Sequence, residues 1–175
     1  MKNLLLIASV IVLLNIVSFA QDPKPKVANI NAVTAKPPTE VFVREKFDPK
    51  RDAKNDLDVA VETAAKSGKH IILDIGGEWC GWCVYMDKFF YLNPKLAKLR
   101  DDNFVWVKVN YSEENENRAF LASYPKRPGY PHLFVLDETG KLIQSQDTWP
   151  LESGEGYSAA KFTEFLKKWG PKKVR

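Results

Sequence analysis

An α/β fold, with a mixed central β-sheet flanked by helices on both faces, is what this sequence predicts, and three observations carry that expectation. Ile71-Ile72-Leu73-Asp74-Ile75 is a short run that is apolar on both faces, as a strand in the middle of a sheet requires. Leu57, Ala60, Val61, Ala64 and Ala65, and later Phe162, Phe165, Leu166 and Trp169, recur at helical spacing and make single apolar stripes. The order between them is helix, strand, helix, strand, helix, strand, hairpin strand, helix. A strand–helix–strand unit followed by a hairpin and a covering helix gives a mixed sheet with helices on both faces.

The elements follow in order. Residues 1–20 read as a cleaved signal peptide. Lys2 gives a positive start, residues 4–17 are apolar apart from Ser9 and Asn15, and Ser18-Phe19-Ala20 places small residues where a signal peptidase reads. A transmembrane anchor would need about 20 apolar residues, and this run is shorter. No cysteine adjoins the cleavage point to carry a lipid. Residues 21–50 are polar and rich in Pro and Lys, and read as a linker or flexible arm with one extended piece at Val41-Phe42-Val43. Residues 51–175 form the folded domain. A helix starts at Asp52 and stops at Ser67-Gly68. The strand at 71–75 is broken by Gly76-Gly77, and residues 84–90 suit one to two helical turns. Asn93-Pro94 caps a short helix through Leu96 and Leu99. Residues 104–109 form the next strand, 113–124 a helix, and 132–136 a strand. Asp137-Glu138-Thr139-Gly140 is a hairpin turn into a strand begun by Lys141-Leu142-Ile143. Residues 144–157 read as a loop. Ser158 caps the last helix, and Gly170-Pro171 stops it.

The two cysteines of the chain, Cys80 and Cys83, fall where a strand gives way to a helix. The first N–H groups of a helix lack partners and carry partial positive charge, so a thiolate there is stabilised. The second sulfur is close enough to attack a mixed disulfide formed at the first. An inert structural disulfide and half a zinc site are the competing readings. Zinc needs about four ligands, and His70 and His132 are not in ligand spacing. The net charge of +4 is modest and no basic run is interleaved with aromatics, so nucleic acid is not an expected partner.

A CxxC pair on such a pattern suggests a thioredoxin-like redox motif. Three separated motifs extend the likeness. Asp74-Ile75-Gly76-Gly77-Glu78-Trp79-Cys80-Gly81-Trp82-Cys83 resembles the thioredoxin active-site segment, Lys108-Val109-Asn110 the end of that family's next strand, and Gly129-Tyr130-Pro131 its cis-proline loop. The resemblance spans roughly residues 52–169. The Trp-Cys-Gly-Trp-Cys form is closest to small exported thioredoxin-like proteins. Trp82 stands where thioredoxin has proline, and the loop after the last strand is longer.

The resemblance implies a thiol–disulfide oxidoreductase with Cys80 as attacking thiolate and Cys83 as buried resolving thiol. It implies that Asp74 accepts the proton of Cys83 and that Lys108 neutralises Asp74. The plainer readings are an aspartate leaning to solvent at a strand end and an exposed strand lysine. Pro131 would be cis and would set the Tyr130 backbone against a substrate chain, where an ordinary trans proline is the plainer reading. Trp82, beside Trp79 and Gly81, would give an apolar docking surface; Trp79 could equally be core. His132 is expected to have no chemistry. No cofactor or metal is implied. The expected partners are disulfide-bearing or dithiol proteins and a redox donor or acceptor protein, membrane-bound or not. The protein is expected to be a monomer in the periplasm or secreted, an oxidising location. Gly81-Trp82 lacks the histidine of an isomerase-like site, which with Asp74 tilts the expectation towards a reductant. A client-binding chaperone module and a soft-metal carrier are the two rival functions.

Overall fold

The structure, a computed structural model, describes residues 42–172. The expected signal peptide, residues 1–20, and residues 21–41 of the expected arm lie outside the described residues. Helix α1 (Ala53–Ser67) starts at Asp52, whose carboxylate accepts the N–H groups of Lys54 and Asn55. It ends at Gly68, whose φ of 65° is the left-handed cap that glycine adopts without strain. Strand β1 (His70–Gly76), helix α2 (Gly81–Leu92), helix α3 (Pro94–Asn103) and strand β2 (Phe104–Asn110) follow. A single helical turn, α4 (Arg118–Leu121), precedes β3 (His132–Leu136) and β4 (Leu142–Asp147). A 3₁₀ turn (Trp149–Leu151) and a two-stranded hairpin, β5 (Glu152–Ser153) with β6 (Gly156–Tyr157), lead to α5 (Ala159–Trp169).

The four-stranded sheet has the order β2-β1-β3-β4. β1 runs parallel to β2 and antiparallel to β3, and β3 runs antiparallel to β4. The sheet is thus mixed, as the order of elements predicted. Alternate side chains of β1 point to opposite faces. Ile71, Leu73 and Ile75 pack with Ala53, Ala60 and Ala64 of α1 and Leu121 of α4. Ile72 packs on the other face with Met86, Phe89 and Phe90 of α2, Leu96 of α3, and Phe162, Phe165 and Leu166 of α5. Both faces of the sheet are therefore covered.

Three stretches differ from the sequence expectation. The helix expected over 113–124 is one turn only. Asn115 Oδ1 accepts the N–H of Asn117, and the Asn117 amide donates to the Asn110 carbonyl, with Asn117 at φ 47°. Such side-chain bonds to the backbone compete with the helix ladder. The loop expected over 144–157 contains most of β4 and the small hairpin. Gln144, Ser145 and Gln146 lie on an edge strand, where polar residues blunt further pairing and hide the alternation that betrays a strand. The helix after Cys80 is twelve residues long, with Cys83, Met86, Phe89 and Phe90 as its buried stripe.

Phe162 sits at the middle of the α2–α5 face. It is fully buried, with ring centroids 5.5 Å from Phe89, 5.2 Å from Phe90 and 5.4 Å from Tyr157. Replacing it by Ala leaves a ring-sized cavity among aromatics that cannot collapse freely. The expected loss is about 3–5 kcal/mol of unfolding free energy, read from urea melts with an unchanged m-value.

Candidate active site

Strand β1 delivers the chain to the site. Beyond Gly76, the Gly77 carbonyl accepts the N–H of Cys80, turning the chain into α2. Cys80 is the N-cap of that helix, in extended backbone conformation, and its Sγ accepts the N–H of Cys83 at 3.2 Å. The Cys83 N–H is thus shared between the Cys80 carbonyl and the sulfur, and the positive end of α2 faces Cys80. Cys80 and Cys83 are joined in a disulfide with their Cα atoms 5.2 Å apart. Cys83 is fully buried, and Cys80 keeps 5% of its surface.

Gly76 explains why the strand ends in glycine. A Cβ there would lie 2.6 Å from Cys83 Sγ and 3.1 Å from the Phe47 ring. The sulfur occupies the space of a side chain on β1. Asp74 is two residues earlier on the same face, one pleat step of roughly 6–7 Å along the strand. The register sets it directly opposite Lys108 on β2.

Asp74 and Lys108 are both buried, so neither plainer reading from the sequence, a solvent-leaning aspartate or an exposed lysine, describes them. Asp74 Oδ2 accepts from Lys108 Nζ at 3.3 Å and from the Trp106 indole at 3.2 Å. Asp74 Oδ1 has no hydrogen-bond partner among the described residues. Burial holds the Asp74 carboxyl above its ordinary pKa, outweighing the attraction of Lys108, and Asp87 pushes in the same direction as burial. Burial pulls the Lys108 ammonium down, but Asp74 and Asp87 together outweigh it and hold it above the ordinary range. The lysine thus stays charged because it serves two carboxylates, with Asp87 Oδ1 the nearer at 2.8 Å.

Four further residues complete the site and escaped the sequence reading. Asp87 lies one helical turn beyond Cys83 on α2, a spacing that could have revealed it. Arg44 bonds Asp87 at 3.3 Å and grips both carboxylate oxygens of Glu78. Glu78 is held below the ordinary carboxylate range, first by its bond to Arg44. Phe47 is 2% exposed and packs on Cys80 and Cys83, and Lys108 Nζ stands 4.1 Å from its ring centroid. Residues 44–47 therefore belong to the packed domain, although the sequence assigned them to the arm. No strand forms at residues 42 and 43.

The other side of the disulfide is aromatic. The Tyr130–Pro131 peptide is cis, and Tyr130 packs beside the two cysteines. The Trp79 ring meets Tyr130 edge-on at 5.6 Å, and its indole donates to the Tyr111 carbonyl. Trp79 is 57% exposed, so it is not core. Trp82, 39% exposed, leans on Tyr85 and Tyr157. Gly81 opens α2 with no atom near the position of a Cβ. His132 is buried, its Nε2 against the Ser145 hydroxyl, and burial pushes its imidazole down to about 4.

A mixed four-stranded sheet that presents a CxxC disulfide at a helix N-terminus, beside a cis proline and above a buried aspartate, defines the thioredoxin-like class of proteins. The comparisons with known proteins agree. The family described as thioredoxin-like matches residues 52–138. A disulphide isomerase from Xylella fastidiosa Temecula1 superposes with a TM-score of 0.62 at 23% identity, covering 72% of this chain and 97% of that one. The thiol:disulfide interchange protein DsbD of Colwellia psychrerythraea is 24% identical over 104 residues, 59% of this chain and 17% of that protein. An uncharacterised Caenorhabditis elegans protein is 33% identical over 101 residues, 55% of this chain and 14% of that protein. The chain thus spans less than a fifth of the length of these two relatives. Residues 52–138 thus match the thioredoxin-like family, and the domain has the thioredoxin-like fold.

The environment of Asp74 fixes a pH dependence. Its folded pKa lies above its unfolded value, so its contribution to stability is fully present below the unfolded pKa and is lost as pH rises through the folded one. Asp74→Asn removes the charge and keeps the shape. It should stabilise the fold by roughly 1–3 kcal/mol at pH 8, the scale of an unsatisfied buried polar group. The gain should shrink as pH falls towards the ordinary carboxylate range. Urea melts of both proteins across that range check it, and an Asn variant less stable at pH 8 would mark Asp74 as a fully paired structural anion.

Proposed function

We propose that the protein is an exported thiol–disulfide oxidoreductase that reduces disulfides in protein substrates. The observation that carries this reading is the Cys80–Cys83 disulfide, with Cys80 at the N-cap of α2 and Cys83 sealed beneath it. In the reduced protein, the Cys80 thiolate attacks a substrate disulfide. The substrate S–S bond breaks, one substrate sulfur leaves as a thiolate that takes up a proton, and a mixed disulfide to Cys80 remains. Cys83 passes its proton, through water, to the ionised Asp74 carboxylate and attacks Cys80 Sγ. The second substrate sulfur leaves and is protonated. The substrate has gained two electrons and two protons, and the Cys80–Cys83 disulfide, the form described above, is the oxidised product. An external dithiol protein must then re-reduce it.

Lys108 serves this cycle by keeping a positive charge beside Asp74 while that carboxyl gains and loses its proton. Trp79, Gly81, Trp82, Tyr130 and Pro131 form the rim on which an extended substrate segment docks. Gly81 contributes by leaving the approach to Cys80 open. The name of the DsbD relative, a thiol:disulfide interchange protein, supports the same class of chemistry. Export and a periplasmic or secreted location rest on the reading of residues 1–20.

The test is a pair of substitutions in an insulin-reduction assay driven by a chemical dithiol. Cys80→Ser should abolish turnover. Cys83→Ser should stop turnover and accumulate a covalent adduct with substrate, seen on non-reducing gels and released by reductant. If adducts accumulate on Cys80→Ser and not on Cys83→Ser, the two roles are reversed. If the wild type reduces no disulfide, the reading fails.

A further inference from the structure

We propose that residues 44–47 form a strap that makes the two sulfurs inequivalent: Phe47 shields Cys83, and Arg44 clips the strap shut. Both are positioning residues, acting on the dithiol through its surroundings. Four contacts hold the strap. Arg44 bonds Glu78, two residues before Cys80, and Asp87, four residues after Cys83. The Phe47 N–H donates to the same Glu78 carboxylate at 3.0 Å. The Phe47 ring lies against the cysteines and under the Lys108 ammonium. Just beyond it, the Pro49 carbonyl accepts from the Asn115 amide at 2.9 Å.

The arrangement has a direction. Phe47 sits on the side of the disulfide where β1, Gly76 and the Asp74–Lys108 pair lie, and it meets the space beside Cys83 Sγ. The exposed Trp79 and Trp82 lie along the helix start at Cys80. Phe47 packs on both cysteines but closes the space beside Cys83, while Cys80 alone keeps some exposed surface, so reagents meet Cys80 first. The ring also keeps Cys83 and Lys108 from bulk solvent, so the resolving thiol gives up its proton only towards the buried acceptor. The clip is built from partly exposed charges, Arg44 and Glu78, so it can be loosened without disturbing the core.

This inference rests on the thiol–disulfide reading for its purpose, but its test needs no substrate. Cys83 is alkylated with iodoacetamide in a Cys80→Ser background, Cys80 in a Cys83→Ser background, and both rates are followed by mass spectrometry. Phe47→Ala should raise the Cys83 rate by about tenfold or more and leave the Cys80 rate within about twofold, as loss of local protection does. Phe47→Leu should restore most of the protection. Should Phe47→Ala fail to fold, Arg44→Ala and Glu78→Gln loosen the strap from the surface, each raising the Cys83 rate by about threefold, with Arg44→Lys falling between Arg44→Ala and wild type. Phe162→Leu, which weakens the fold away from the strap, should leave the rate unchanged. An unchanged Cys83 rate in folded strap variants, or an equal rise in Phe162→Leu, overturns the proposal. A protein that protects Cys83 in this way yet reduces no insulin upholds the strap and overturns the functional reading alone.

Discussion

A carboxylate buried in the middle of a sheet is the constraint around which this site is arranged. Asp74 lies on β1 between Leu73 and Ile75, with strands on both sides and helices on both faces, and none of its surface is exposed. Leaving that charge unpaired would cost several kcal/mol. The parallel register places Lys108 opposite it, α2 brings Asp87 to the same lysine, and the strap brings Arg44 to Asp87 and Glu78. The groups alternate in sign from core to surface. Three carboxylates and two cations leave one excess negative charge when all are ionised. Burial, and an oxygen left without a donor, hold the Asp74 carboxyl above its ordinary pKa. The outer end behaves oppositely: Glu78, bonded to Arg44 and to the Phe47 N–H, keeps its charge. Asp74 and Glu78 are thus shifted in opposite directions by their places in the chain of charges.

Much of this was legible in the sequence, and the reason is physical. Apolar runs and single stripes report burial directly, so β1, β2, β3, α1 and α5 could be read with their approximate bounds. The Cys80–Cys83 spacing at a strand–helix junction located the reactive centre, and a lone Asp74 in an apolar strand announced a buried charge. What could not be read depends on contacts between distant segments. Phe47 and Arg44 sit in a Pro- and Lys-rich stretch whose composition resembles a linker, and only the folded chain shows that Glu78 and the disulfide receive them. β4 has no alternation because its edge position makes it polar. The 113–117 segment is composed of residues that tolerate helix, and Asn115 and Asn117 divert it by bonding locally to the backbone. In each case tertiary pairing decided between conformations that local propensity left close in energy.

The segment after β4 takes part in the site at two points. Thr148, buried, donates its hydroxyl to the Pro131 carbonyl at 3.0 Å, tying this segment to the loop that carries Tyr130. Nine residues later Tyr157 packs its ring against Trp82 and Tyr85 and donates its hydroxyl to the Trp82 carbonyl. Burial drives the Tyr157 phenol upward, so it remains a donor across the physiological range. The segment after β4 therefore contacts both the cis-proline loop and the first turn of α2. Trp82 stands between the cysteines where thioredoxin has proline, and its ring packs with Tyr85 and Tyr157, joining the first turn of α2 to the body of the domain. The same indole is partly exposed beside the disulfide, so one side chain both supports the helix start and adds to the apolar surface around Cys80.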